Sequence, residues 1–422
     1  VSILSEARDT AVLPVVDEML RDTDMRVRTE ALLYLTHLAH IDPLARIEQL
    51  GDFQDFSIRS AMVAFLARPG DTQNLEAASL LLDAMVAERG PDGARTRLEA
   101  ARLLGSLPVH FESQLRTLLD DPDVEVVRHA LRAVGRQCKR SFMEPVIERL
   151  GSPTLAKDAA DVLARCGDRV VGTLRDHLVD TEVPIEQRRE IPGVLQRIGT
   201  PTAQHALVEN LICSDTILRF RIISGLNKLR QAHPDYDLDV RTVETGLVAE
   251  IMGHYRSYEI LGTLGHTANA DDPVTRGLQE SMSQELERIF RLLQLLFPGH
   301  DIHSAYVGIQ SRNPLIHDNA LELLDNVLRP QLRTLLVPLL DSEVSVDERI
   351  ELANRILGGR LGGREEAITA LIYSEDPWLK ACAAYSIGAL GLKSLKHELD
   401  RWLDDADPLL RETARHSKAQ LA

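Results

Sequence analysis

Apolar residues recur at spacings of three and four along most of this chain, a pattern that places one hydrophobic stripe on each helix. Such stripes occupy 12–20, 115–119, 146–150, 335–340 and 395–403. A polar turn and a second apolar stripe follow each of them, and no run of alternating β-branched residues intervenes. The pattern therefore predicts an all-α protein built from pairs of helices, which we term helix A and helix B.

A basic residue marks helix B at regular intervals. The steps from Lys157 to Arg188 and from Lys380 to Arg411 are both 31 residues. The anchors are Arg28, Arg97, Lys157, Arg188, His317, Arg349, Lys380 and Arg411, with copies displaced by one residue at Arg59 and Arg128. A period of this length indicates an α-solenoid of about eleven to thirteen repeats. We expect most anchors to pair with turn acids and to hold neighbouring repeats together.

The turns between helices carry a second regularity, a short polar residue followed by proline. The dipeptides are Asp121-Pro122, Ser152-Pro153, Asn313-Pro314, Asp376-Pro377 and Asp407-Pro408. A short polar side chain accepts the unpaired N–H groups of the next helix, and proline fits its first position. These dipeptides predict helix B starts. The glycines at 105, 135, 167, 199 and 388 are expected to end helix B or, at Gly388, to permit close helix packing.

Two segments resemble HEAT repeats of the short bacterial kind, DPDVEVVRHAL at 121–131 and DPWLKACAA at 376–384. A longer segment, 286–328, is similar to part of the HEAT regions that follow ATP/ADP-exchange-type major-facilitator transporters. The resemblance implies a right-handed α-α superhelix that binds a protein partner through its concave face. It also implies the cytosolic, regulatory part of a membrane-embedded transporter. The alternative is a stand-alone lyase or chaperone of the phycobilin-lyase type, which is also HEAT-like.

The regular array is interrupted between Arg221 and His317, a step of 96 residues. Two long helices are predicted there, at roughly 240–262 and 274–297, with a polar loop between them. The interruption gives three parts: N-terminal repeats at 1–232, an irregular insert or two degenerate repeats at 233–300, and C-terminal repeats at 301–422. An insert of this kind either forms a binding face or acts as a wedge that changes the curvature.

The charge of the chain narrows the class of partner. The net charge of −16 and the pI near 5.4 disfavour a nucleic-acid groove, which needs clustered basic residues. One basic cluster remains as a candidate interaction site for an acidic partner. It consists of Arg219, Arg221, Lys228, Arg230 and Arg241. The alternative is a solvated helix face with ordinary ion pairs.

Cysteine usage and hydropathy predict a protein of a reducing, cytoplasmic compartment, or one held at the cytosolic face of the inner membrane by its partner. The four cysteines contain no CxxC pair and are expected to be reduced, buried thiols. The apolar run at 289–297 is far shorter than the roughly 20 residues that cross a bilayer. If the resemblance to transporters holds, the membrane spans lie before Val1.

Candidate chemistry is sparse. His300 and His303, and likewise His37 and His40 before Asp42, have metal-ligand residue types but lack a third ligand at a defined spacing. The glycine-rich segment 358–364 lacks the GK[ST] and the preceding strand of a phosphate-binding loop. We therefore expect no catalytic, cofactor-binding or metal-binding residues, and a scaffold that is not an enzyme.

Overall fold

A computed structural model describes residues 11–24, 27–28, 30–32, 34–35, 58–67, 72–107, 110–265, 273–359, 361–374, 376–405 and 407–421. The chain divides into two compact units, residues 1–174 and 175–422. In the first unit the helices are α1 (Leu13–Met19), α2 (Ile58–Leu66), α3 (Thr72–Ala87), α4 (Gly90–Leu104), α5 (Glu112–Leu119), α6 (Val124–Gln137), α7 (Met143–Glu148) and α8 (Ala156–Cys166). Helix α9 (Asp168–Val179) contains the division between the units.

The second unit continues with the same kind of element. Its helices are α10 (Ile185–Ile198), α11 (Pro201–Glu209), α12 (Thr216–Ala232), α13 (Val240–Leu264), α14 (Pro273–Leu296), α15 (Ile302–Ile309), α16 (Pro314–Val327), α17 (Pro330–Leu340), α18 (Val346–Leu357), α19 (Arg364–Ile372), α20 (Pro377–Ala389), α21 (Lys396–Arg401) and α22 (Pro408–Gln420). Among the residues described, every regular element is a helix. The predicted all-α, HEAT-like fold is confirmed.

Helices B of successive repeats pack side by side in the first unit. Helix α6 contacts both α4 and α8, while each helix A, such as α5, packs on its own partner. Ion pairs connect the same helices: Arg97 of α4 binds Asp121 through Nε at 2.6 Å, and Arg128 of α6 binds Asp158 at 2.8 Å. Each repeat thus buries its apolar face and its charges against the next one.

Several other anchors bind main-chain carbonyl groups. Arg188 donates two hydrogen bonds to the carbonyl of Leu178, near the end of α9, at 3.1 and 3.0 Å. Arg349 donates to the carbonyl of Asp341, which follows α17, at 2.5 Å. The last carbonyls of a helix lack partners inside that helix, so a cation stabilises them. These two anchors therefore join neighbouring helices as expected, but through main-chain carbonyls and not through turn acids.

Three of the five polar–proline dipeptides begin a helix as predicted. Asn313, Asp376 and Asp407 are N-caps whose side chains accept hydrogen bonds from the first-turn N–H groups of α16, α20 and α22. The other two predictions were displaced. Helix α6 is capped by Asp123, because Asp121 is used by Arg97, and α8 begins only at Ala156, after a turn.

Two of the glycines show the two expected roles. Gly199 ends α10 in the left-handed conformation, with φ of 72°. Gly388 lies inside α20, where an added Cβ would lie 2.7 Å from Cα and Cβ of Ser417 on α22. This glycine allows α20 and α22 to approach closely, as expected.

The two long helices of the interrupted region are present within about two residues of their predicted bounds. In α13 the predicted stripe is buried, and Val243, Leu247, Ile251 and Tyr255 are each 0% exposed. Helix α13 packs against α14 and α18, and α14 also packs against α12 and α20. Of the predicted loop, residues 266–272 lie outside the described residues. The three-part division at 232 and 300 stays a prediction.

The expectation of four free thiols was wrong for one pair. Cys138 and Cys166 form a disulfide with Cα atoms 5.4 Å apart, while Cys213 and Cys382 are free. Cys138 follows α6 and Cys166 ends α8, which are neighbours in the stack. The sequence separation of 28 positions concealed this proximity, because it arises from the packing of successive repeats. Within the described ranges, no helix has both the length and the apolar character that a bilayer crossing needs.

Candidate functional site

A cavity of about 570 Å³ lies beside the two long helices of the second unit. Its walls are the start of α12, one face each of α13 and α14, and the α19–α20 segment. We call it the α13–α14 cleft. Its volume falls within the range of roughly 300–1,000 Å³ that is usual for ligand sites.

Helix α13 presents different faces to the core and to the cleft. Val243 and Leu247 belong to its buried apolar stripe, whereas Glu250, Gly253 and Ser257 line the cleft at spacings of three and four residues. A Cβ added at Gly253 would meet no atom within 4 Å. The helix is thus held by one face and leaves the other for polar groups.

Three charged side chains meet at one end of the cleft. Glu250 binds Nε of Arg288 at 3.0 Å and Nε of Arg219 at 2.5 Å. The side chains of Glu250 and Arg288 are only 5% and 4% exposed. Buried charges of this kind persist only when they are paired. With two guanidinium groups on one carboxylate, this end carries an excess positive charge.

Two carboxylates lie further along the cleft. Glu285 on α14 accepts hydrogen bonds from Nδ1 of His254 and from the Ser257 hydroxyl, both at 2.8 Å. Burial by itself would raise the pKa of Glu285, but these hydrogen bonds and the charges of His254 and Arg288 lower it. Asp376 accepts a hydrogen bond from Ser281 at 3.3 Å.

The predicted basic cluster divides between internal bonds and the surface. Arg219 contributes to the cleft; Arg221 pairs with Glu190 at 2.5 Å; Arg230 donates to the carbonyl of Tyr236 at 2.6 Å. Lys228 and Arg241 are exposed. An interaction surface formed by all five residues stays a prediction.

Sequence reasoning missed most of the cleft residues. The signal that could have found them is on α14, where Ser281, Glu285 and Arg288 occupy positions i, i+4 and i+7 of one face. In the sequence, three polar residues on one helix face indicate a solvent-exposed surface. In the structure, α13 and α20 pack beside this face and enclose it. Asp376 was recognised only as a helix cap.

The histidine pairs considered as metal ligands do not form a ligand set in the described part of the chain. His303 lines a second cavity, of about 330 Å³, with Phe290 and Tyr306. His37, His40 and Asp42 lie outside the described residues. Across the residues that the structure describes, no three histidine, cysteine or acidic side chains are placed to hold a metal ion.

Comparison with known proteins adds a relative of known activity. No family model matches the chain. Human deoxyhypusine hydroxylase is 27% identical over 273 residues, covering 62% of this chain and 85% of its own length. The karyopherin Kap121p bound to the SUMO protease Ulp1p matches with a TM-score of 0.34 and 14% identity, over 100% of this chain and 46% of the karyopherin. This chain thus spans about half the length of that karyopherin.

A solved structure of the hydroxylase gives a similar result. Human deoxyhypusine hydroxylase in complex with glycerol matches with a TM-score of 0.18 and 16% identity, over 77% of this chain and 97% of the hydroxylase. With TM-scores this low, neither a function nor site residues can be transferred from these structures to this chain. Neither the hydroxylase nor the karyopherin supports the expected fusion to a transporter.

The expectation that the chain is not an enzyme is corrected by this relative. It rested on the lack of recognisable catalytic motifs, yet the curated match over 273 residues is to an enzyme. In a helical repeat protein, side chains that act together come from different repeats and so have no fixed spacing in sequence. Such side chains leave no local motif in the sequence.

Proposed function

We propose that this chain is a helical-repeat protein that binds an extended segment of a partner protein in the α13–α14 cleft. The observation that carries the proposal is the cleft itself, a ligand-sized cavity lined by charged groups that are otherwise costly to bury. A shape of this size accepts a few residues of an extended chain.

The chemistry of the cleft walls supports a polypeptide ligand. Serines at 214, 281 and 374 and leucines at 211, 278 and 371 all line the cleft. Hydroxyl groups both donate and accept hydrogen bonds and so match the N–H and C=O groups of a peptide, while the leucines accept apolar side chains. Acidic groups in the cleft and the net charge of −16 disfavour a phosphate backbone.

Filling the cleft tests the proposal. Leucine at position 253 would project into the cleft without a clash, because an added Cβ has no neighbour within 4 Å. Gly193 in α10 is equally open and lies outside the cleft, so Gly193→Leu is the matched control. Peptides selected from a phage-displayed random nonapeptide library should bind the wild type and Gly193→Leu, and should bind Gly253→Leu at least about tenfold more weakly. Equal binding to all three proteins would overturn the proposal.

Hydroxylation of the bound segment is a second candidate function, favoured by the 27% identity to human deoxyhypusine hydroxylase. A metal-dependent oxygenase needs a convergent set of histidine and carboxylate ligands, and the described residues hold no such group. Incubation of the chain with a deoxyhypusine-containing peptide, oxygen and a two-electron reductant, followed by mass spectrometry, should show one oxygen atom gained by the peptide, the second being released as water. An unchanged mass would dismiss this candidate.

The association with a nucleotide-exchange transporter, and with it a cytoplasmic location, is supported by the resemblance of segment 286–328 alone. This segment forms the end of α14 and helices α15 and α16. Fractionation of source cells with an antibody against the chain tests it. A membrane-bound product much larger than 47.0 kDa is the expected result, and a product of 47.0 kDa outside the membrane fraction would contradict it.

A further inference from the structure

The charges of the α13–α14 cleft are arranged in order along α14. Arg288, Glu285 and Ser281 follow one another on the face that lines the cleft. The seven residues from Ser281 to Arg288 correspond to about 10 Å of helix. The cleft therefore has two ends that a single ligand can contact at once.

The end near Arg288 is cationic. Arg288 and Arg219 share the carboxylate of Glu250, and both contacts are made through Nε. A guanidinium group has five N–H donors in a planar fork, so one shared carboxylate does not exhaust two of them. A carboxylate on a ligand can complete this arrangement with charge-assisted hydrogen bonds.

The end near Ser281 is anionic through Asp376, which is held there by Ser281 and by the first N–H groups of α20. Glu285 lies between the two ends and is held by His254 and Ser257. A carboxylate accepts about four hydrogen bonds, so both groups retain acceptor capacity.

Arg256 and Glu259 do not alter this polarity. They pair with each other on α13, and the pair is neutral. Arg256 is half-exposed at the cleft wall, whereas Glu259 is buried. The cationic and anionic ends are therefore set by the groups on α12, α14 and α20.

We propose that the ligand of the α13–α14 cleft is a polypeptide segment with an acidic and a basic side chain about 10 Å apart. The acidic side chain binds Arg219 and Arg288, and the basic one binds Asp376 beside Ser281. In the polyproline-II conformation a chain advances about 3.1 Å per residue and repeats its side-chain direction every third residue, so two side chains about 10 Å apart on one side of the ligand are three residues apart. This inference rests on the proposed function and specifies its partner.

Short peptides with defined charges test the inference. The probes are acetylated and amidated Glu-Ala-Ala-Lys, the same peptide with glutamine in place of either charged residue, and Ala-Glu-Lys-Ala with adjacent charges. Titration calorimetry should show that Glu-Ala-Ala-Lys binds about tenfold more tightly than each of the other three. Similar affinities for all four would overturn the inference.

Two substitutions in the protein assign the ends. Asp376→Asn retains a good helix cap and removes the charge, so it should abolish the preference for lysine over glutamine. Arg219→Gln should abolish the preference for glutamate over glutamine. Asp407→Asn is the matched control, because Asp407 caps α22 in the same way and does not line the cleft. Retention of both preferences in the two cleft variants would also overturn the inference.

Failure of this inference can be separated from failure of the proposed function. If library-selected peptides bind and Gly253→Leu blocks them, the cleft is a peptide site even when charge has no influence. If Gly253→Leu leaves library-peptide binding unchanged, the proposed function itself fails. Circular-dichroism melting of each variant establishes that the loss is not caused by unfolding.

Discussion

Arginine–carboxylate pairs occur in both units of the molecule, but their surroundings differ. In the first unit Arg97 reaches Asp121 in the turn before the next helix B, and the two side chains are only 6% and 4% exposed. In the second unit Glu250 is equally buried between Arg219 and Arg288, yet all three line a cavity of about 570 Å³. The same kind of ion pair thus connects two packed repeats in the first unit and lines a cleft in the second.

The difference follows from helix length. Helices α4 and α6, of 15 and 14 residues, are each about half of the 31-residue repeat period, and Arg97 of α4 meets the turn before the neighbouring helix α6. Helices α13 and α14 have 25 and 24 residues and extend well beyond such a turn. Arg256 and Ser257 of α13 and Arg288 of α14 lie beyond the fifteenth residue of their helices and line the cleft. We infer that the longer helices extend the cleft wall.

Replacement of Arg97 should give the largest effect on stability. Arg97→Met leaves the Asp121 carboxylate buried without its cation, and loss of one partner of a buried pair costs about 3–5 kcal/mol. Arg128→Met is the control, since Arg128 and Asp158 are 25% and 20% exposed and their solvent-screened pair should contribute much less than the buried one. Urea unfolding followed by circular dichroism measures both. Equal losses in the free energy of unfolding would mean that burial does not determine how much each ion pair contributes.

A smaller effect is expected from Glu285→Gln in the cleft. Loss of a charged acceptor for His254 and Ser257 should lower the free energy of unfolding at pH 7 by about 2 kcal/mol. The pKa of Glu285 is lowered by folding, so the unfolded chain binds more protons as the pH falls below about 5. The contribution of the carboxylate is complete above its unfolded pKa near 4.5 and disappears as the pH falls through the folded value.

The pH dependence distinguishes this role from simple packing. Between about pH 5 and pH 3 the wild type should lose stability more steeply than Glu285→Gln, as measured by urea unfolding at each pH. Glu412→Gln, at an exposed pair with Arg415, is the control and should follow the wild type. If the free energy of unfolding depends on pH in the same way for the wild type and Glu285→Gln, the Glu285 carboxylate is not ionised in the folded protein.

The helical architecture could be predicted from sequence, whereas most of the candidate site could not. Helix α13 was foreseen because its stripe at 243, 247 and 251 has helical spacing, which is a local property. The contact of Arg288 with Glu250 spans 38 residues and that of Ser281 with Asp376 spans 95, so both depend on how helices pack. The Cys138–Cys166 disulfide was missed for the same reason.

The smallest expected effect compares two open glycines, one inside the cleft and one outside. Gly253 and Gly193 lie in helix interiors, where glycine is less favourable than leucine by up to about 1 kcal/mol. Both Gly253→Leu and Gly193→Leu should therefore raise the thermal midpoint slightly, because neither new side chain meets a clash at Cβ. Only Gly253→Leu should weaken peptide binding. A stabilised protein that no longer binds its ligand would show that the cleft is kept open for function, because filling it improves the fold. A fall in the midpoint of Gly253→Leu alone would instead show that the cleft wall is too tightly packed to accept a side chain.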